Sequence, residues 1–146
     1  MSDFLYLHDN RLTTLPSSIG KLQKLRYLNI SDNPISAFPE SICSLSNLIE
    51  LRATDNQLSR LPDDVARLSR LRELHLRNNR LATLPSAIGN LAELRQLDLR
   101  GNPLESLPSA IASMPKLEKL DLRWVNSLPA LEWFQSLEAR GGVVYR

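Results

Sequence analysis

Apolar residues along this chain recur in a pattern that is neither a plain helix period nor a long strand alternation. The first unit reads Leu5-x-Leu7-x-x-Asn10-x-Leu12-x-x-Leu15-Pro16-x-x-Ile19-x-x-Leu22-x-x-Leu25, and then the pattern begins again. Asparagines stand at Asn10, Asn33, Asn56, Asn79 and Asn102, and prolines at Pro16, Pro39, Pro62, Pro85 and Pro108, each series advancing in steps of 23 residues. The second unit substitutes Ile30, Ile35 and Phe38, the third Ala53 and Val65, and the fifth Met114, all still apolar. A fixed step shared by five Asn and five Pro marks an internal repeat, and repeats of this length are the signature of stacked-coil architectures.

Each column of the repeat predicts an element. Leu-x-Leu has the period of two expected of a short, half-buried strand. The Asn follows where the chain must turn, and its amide carries both donors and an acceptor for backbone groups of its own turn and of the adjacent coil. Stacked at every coil, such amides form a ladder that satisfies otherwise orphaned backbone atoms. Leu-Pro then opens a short helical or 3₁₀ segment, because proline suits a first helical position, and Ile19 and Leu22 share one face of that turn. One unit of 23 residues cannot bury its own leucines, whereas stacked units share a continuous core.

These residues resemble the leucine-rich repeat family, in particular its 23-residue class with Leu-Pro-x-x-Ile-x-x-Leu, over about residues 4 to 124. The resemblance implies an α/β solenoid: a right-handed horseshoe arc with parallel strands on the concave side and short helical or 3₁₀ segments on the convex side. It also implies kinship with intracellular scaffold and bacterial repeat proteins, since secreted members usually carry cysteine-rich caps.

The two ends differ. Residues 1–124 are expected to form five full repeats and the start of a sixth, beginning inside a repeat, with Ser2 in the column otherwise held by leucine. Residues 125–146 read as a C-terminal cap. Val125 replaces the ladder Asn, and Ala130–Arg140 carries Leu131, Phe134 and Leu137 at helical spacing. Gly141-Gly142 stops that helix, and Val143-Val144-Tyr145 is suited to a last strand. The open edge around Leu5 and Leu7 makes an end-to-end homodimer an expectation.

Composition narrows the class. The chain has 146 residues, 42% of them hydrophobic but only 5% aromatic, so its core is aliphatic. Eighteen Lys and Arg against sixteen Asp and Glu leave a formal charge of +2, which gives no reason to expect a nucleic acid or an anionic membrane as partner. Apolar runs of membrane-spanning length are absent. One cysteine, Cys43, excludes an internal disulfide framework, and the first residues lack a basic segment followed by an apolar one. The expected location is cytoplasmic.

With the frame residues committed to packing, function falls to the polar columns around Leu-x-Leu. The residue before reads Phe4, Tyr27, Glu50, Glu73, Gln96, Lys119 along the solenoid, and the residue between reads Tyr6, Asn29, Arg52, His75, Asp98, Asp121. The next column reads His8, Ser31, Thr54, Arg77, Arg100, Arg123, and a fourth reads Asp9, Asp32, Asp55, Asn78, Gly101, Trp124. All four columns are expected on the strand face turned to solvent. Phe4, Tyr6, His8 and Tyr27 make an aromatic group of the kind interfaces favour, or a shield for the open edge. Arg77, Arg100 and Arg123 make a stripe able to receive acidic or phosphorylated groups, or else a lattice of ion pairs with Asp98 and Asp121. The expected partner-binding residues are Tyr6, His8, Tyr27, Arg52, His75, Arg77, Arg100 and Arg123.

Catalytic chemistry finds no support. No Gly-x-Ser-x-Gly, Gly-x-Gly-x-x-Gly or phosphate loop occurs, and Cys43 falls between apolar Ile42 and Leu45. Asp9, Asp32 and Asp55 stand at turn positions without calcium-ligand spacing, so neither a metal nor a cofactor is expected. The sequence therefore predicts a non-enzymatic module that binds a protein partner on its concave face. The alternative is the substrate-recruiting segment of a larger enzyme, a kinase or ubiquitin ligase, encoded upstream.

Overall fold

The computed structural model describes residues 3–146; Ser2 lies outside them. Each Leu-x-Leu core sits in a three-residue strand: β1 (Phe4–Tyr6), β2 (Tyr27–Asn29), β3 (Glu50–Arg52), β4 (Glu73–His75), β5 (Gln96–Asp98) and β6 (Lys119–Asp121). With β7 (Val143–Tyr145) they form one open, all-parallel sheet in chain order. The register advances one repeat per strand, from Leu5 to Leu28, Leu51, Leu74, Leu97 and Leu120. The last step pairs Leu120 with Val144, one residue longer than the others.

The strands are short because the chain turns sharply three residues after each ends. Asp9, Asp32, Asp55, Asn78 and Trp124 have φ between 54° and 61°, and Gly101 has φ 68°. This left-handed region is the natural place for Asp, Asn and Gly. The fourth column is thus a turn column, as expected of Asp9, Asp32 and Asp55, and the reading that also placed it on the strand face is corrected. The period alone could not distinguish the two, since Asp and Asn suit both an exposed strand end and a left-handed turn.

The Leu-Pro segments open five 3₁₀ helices: Ser17–Lys21, Glu40–Ser44, Asp63–Arg67, Ser86–Asn90 and Ser109–Ser113, each preceded by its proline in extended conformation. The proline carbonyl accepts the first bond three residues on, as in Ile19 N–H to Pro16 (3.1 Å) and Ile88 N–H to Pro85 (3.0 Å). Between strands and 3₁₀ helices lies one aliphatic core, with Leu28, Leu51, Leu74 and Leu120 fully buried. The fourth residue after each of these prolines is small: Gly20, Cys43, Ala66, Gly89 and Ala112. A Cβ built on Gly89 would stand 2.7 Å from Ala110 Cβ, and one on Gly20 would stand 2.8 Å from the Ser41 carbonyl. Close approach of successive 3₁₀ helices therefore requires small residues there, and Cys43 is buried in that same column. Burial pushes its thiol up to about 11.

The first coil has a neighbour on one side only. Leu5, Leu7, Leu12, Leu15 and Leu22 are half-buried and line, with Ile19, an apolar depression of about 330 Å³. At the other end the expected helix over Ala130–Arg140 is shorter: α1 spans Phe134–Ala139. Trp133 at its N-cap supplies no side-chain bond to the helix, and Leu131 precedes it in a turn closed by Phe134 N–H to Leu131 O (3.0 Å). Phe134 and Leu137 are buried. Gly141, with φ 94°, turns the chain into β7.

Candidate partner-binding face

The asparagine column fixes the geometry from which the face projects. Asn79 Nδ2 donates to the carbonyls of Ala53 (2.8 Å) and Leu76 (3.0 Å), while its Oδ1 accepts from Leu58 N–H (3.0 Å). Asn102 repeats this with Leu76, Leu99 and Leu81 N–H, and Asn33 and Asn56 make corresponding bonds. Asn10 is exposed and donates to His8 O (3.0 Å) within its own turn. Strands β2 to β5 are thereby tied both to their own turns and to the preceding coil.

Side chains alternating with the buried leucines point away from the core. At the β1 end, Tyr6 and Tyr27 rings lie 5.1 Å apart, Phe4 and Tyr27 6.0 Å, and Tyr6 and His8 6.2 Å in an edge-on arrangement. Phe4 and Tyr6 remain 52% and 58% exposed although they stack. The strands thus bring the expected aromatic group together and leave much of it open to solvent.

Further along, charge replaces aromatic surface. Arg52 Nε donates to Glu50, two residues earlier on the same face. Arg100 forks onto Asp98 through Nε (2.9 Å) and Nη2 (2.6 Å), and Arg123 forks onto Asp121 through Nε (3.0 Å) and Nη2 (2.7 Å). Both aspartates also accept the backbone N–H of their arginine. Although burial opposes ionisation, these bonds, with His75 added at Asp98, hold both carboxyls below the usual aspartate range. His75 Nε2 lies 2.9 Å from Glu73 Oε2, and Nδ1 lies 3.8 Å from Asp98 Oδ2. Burial works against its protonation, but the two carboxylates outweigh it and raise its pKa.

Arg77 is placed differently. Its Nη2 reaches Asp55 at 3.5 Å, and its Nε is buried without a hydrogen-bond partner. Trp124, the last residue of the fourth column, is 63% exposed in a left-handed turn, with Arg100 5.7 Å over its ring. Tyr145 was not among the expected site residues; β7 carries it onto the same face, where Lys119 and Arg123 lie 5.2 and 5.3 Å over its ring. The one-residue lengthening before β7 hides it from a strict repeat count.

Among the described residues, Glu50, Glu73 and His75 have metal-ligand atoms within 4.8 Å of one another. Arg52 neutralises Glu50 and His75 already engages Glu73, so protein groups supply the positive charge in that cluster. No helix of the described residues is long and apolar enough to cross a membrane.

Short parallel strands, a buried amide ladder and 3₁₀ returns define a leucine-rich solenoid. The model for a leucine-rich repeat region matches residues 3–76 and again 62–141, and the chain belongs to the leucine-rich repeat family. A leucine-rich repeat protein of Leptospira interrogans superposes with a TM-score of 0.90 at 30% identity, over 98% of this chain and 36% of that one. The leucine-rich repeat domain of the type III effector XopL gives 0.80 at 34% identity, over 86% of this chain and 45% of that one. The ectodomain of the Arabidopsis thaliana receptor kinase GASSHO1/SCHENGEN3, in complex with CASPARIAN STRIP INTEGRITY FACTOR 2, gives 0.76 at 36% identity, over 86% of this chain and 16% of that one. The chain thus spans less than half the length of each of these structures. No curated protein matches it by sequence.

Proposed function

We propose that the chain is a non-catalytic binding module that receives a protein partner on its concave strand face. The observation that carries this reading is the cluster of Phe4, Tyr6 and Tyr27 on β1 and β2, in which Phe4 and Tyr6 each tilt against the half-buried Tyr27 ring yet stay more than half exposed. Aromatic side chains on a preorganised surface lose little conformational freedom on association and bring large contact areas. The ectodomain bound to a protein factor shows that a related solenoid engages a protein partner. Among the described residues, no constellation of nucleophile, base and oxyanion donors stands on this face.

A photo-crosslinking amino acid at position 6 tests the reading against the same group at Glu40 on the convex side. The expected result is a discrete adduct with one protein from the position-6 variant and none from the position-40 variant. Adducts only from position 40 would move the binding surface to the convex side.

A second reading, a recruiting arm of a larger enzyme, is supported by the receptor kinase among the similar structures and by the small share of it that this chain spans. It uses the same face and differs only in what is attached.

A further inference from the structure

Each arginine on the concave face is preceded, two residues earlier, by an acidic residue on the same side of the strand, with one exception. Glu50 precedes Arg52, Asp98 precedes Arg100 and Asp121 precedes Arg123, and each pair is bonded. Ahead of Arg77 stands His75, which takes up Glu73 itself. Arg77 therefore has no uncommitted carboxylate on its own strand. It leans back one coil to Asp55, whose other oxygen accepts from Asn78 Nδ2 at 2.8 Å. The 3.5 Å contact is at the outer limit of a hydrogen bond, and the Nε proton is buried with no acceptor.

An unsatisfied buried donor is costly, whereas a forked guanidinium–carboxylate pair is among the strongest polar contacts a protein makes. Turning outward would cost Arg100 or Arg123 two charge-assisted bonds each. The same rotation costs Arg77 one long contact and frees its orphaned Nε. Its side chain is 36% exposed, so an incoming group can reach it. We propose that Arg77 is the anchor by which the concave face grips an aspartate or glutamate side chain of its protein partner. The proposal deepens the binding reading above and rests on it. A carboxylate matches one guanidinium in charge and planar geometry. Asp55 and Asp98, on the coils either side, would repel a phosphate dianion roughly twice as strongly as a carboxylate.

The test is selection from a phage-displayed library of random linear peptides on the wild-type protein. Binders to the concave face are those lost in a Tyr6→Ala/Tyr27→Ala variant that circular dichroism shows to be folded. The expected result is enrichment of Asp or Glu at one peptide position. For a selected peptide, changing that acid to its amide weakens binding to wild type by roughly tenfold. The same change has no effect on Arg77→Gln but keeps its full effect on Arg100→Gln. If concave-face peptides show no acidic position, or the acid couples to Arg100 instead, the anchor is wrong and the binding reading stands. If no selected peptide depends on Tyr6 and Tyr27, the binding reading falls and takes the anchor with it. Phosphoserine at that position binding tighter than Asp or Glu would reassign Arg77 to a phosphorylated partner and overturn the proposal.

Discussion

A buried side-chain amide is tolerable only where each of its polar atoms finds a partner. Asn79 achieves this through two adjacent coils, so its removal orphans the Ala53 and Leu76 carbonyls and the Leu58 N–H together. Asn79→Ala is expected to destabilise the fold by roughly 1–3 kcal/mol. Asn10→Ala, at the exposed end of the same column, should cost far less. Urea unfolding of the two variants side by side checks this, and equal losses would show that burial is not what gives the column its importance. His75 makes a second prediction at this scale. Its folded pKa lies above the ordinary value of 6.5, so the charged form is bound preferentially by the folded state. The stability it contributes is fully present below about pH 6.5 and is lost as pH rises through the folded pKa. Glu73, Asp98 and Arg52 are the charged groups that set this balance. The stability difference between wild type and His75→Gln should therefore shrink as pH rises from about 6.5 through the raised folded pKa. A difference independent of pH would mean that the ring is held by packing alone.

Among the elements, the 3₁₀ helices carry the least expected behaviour. In most helices Gly→Ala stabilises by about 0.5–1 kcal/mol, through loss of freedom in the unfolded chain. At position 89 the added methyl meets Ala110 at 2.7 Å, with the Ala110 carbonyl 3.0 Å away. Gly89→Ala is accordingly expected to destabilise, by about 1 kcal/mol or more, because it wedges successive 3₁₀ helices apart. A rise in melting temperature would contradict that close approach. The strands, the 3₁₀ segments and the core columns were legible in the sequence because each depends on a spacing of apolar residues, and spacing is what a repeat displays. The turn at Asp9, Asp32 and Asp55 was legible from residue type, but its left-handed geometry was not, since that depends on backbone angles that Asp and Asn merely permit. On the site, the aromatic cluster and the Asp–Arg pairs could be read from strand alternation. The isolation of Arg77 could not be read that way, because it depends on which carboxylate His75 and Asn78 have already taken. Tyr145 was invisible because its strand departs from the 23-residue step.

For the whole molecule, a stack of coils has a graded stability, set by how many neighbours each coil touches. The first coil has one, and its leucines are only half-buried, whereas Leu51, Leu74 and Leu97 are at most 1% exposed. Amide hydrogen exchange should follow that gradient. The N–H groups of Leu7 and Asp9, bonded to Asn29 and Ser31, are expected to exchange well before those of Ala53 and Leu76, bonded to His75 and Asp98. Uniform protection from β1 to β5 would show that the stack opens only as a single unit. The aromatic cluster stands on the coil expected to open most readily, so partner binding at Tyr6 should protect those same amides most.

The constant step of the ladder also governs how the chain finds its shape. Bonds between neighbouring repeats join residues 21 to 26 apart in sequence and recur along the molecule. The chain never has to bring distant ends together before any contact is rewarded. Each closure encloses one coil, and its entropic cost is set by that length alone. Assembly can begin at any adjacent pair and grow outward as a zipper does. Splicing a further 23-residue unit between β3 and β4 would lengthen the molecule while leaving the entropy of every individual closure unchanged.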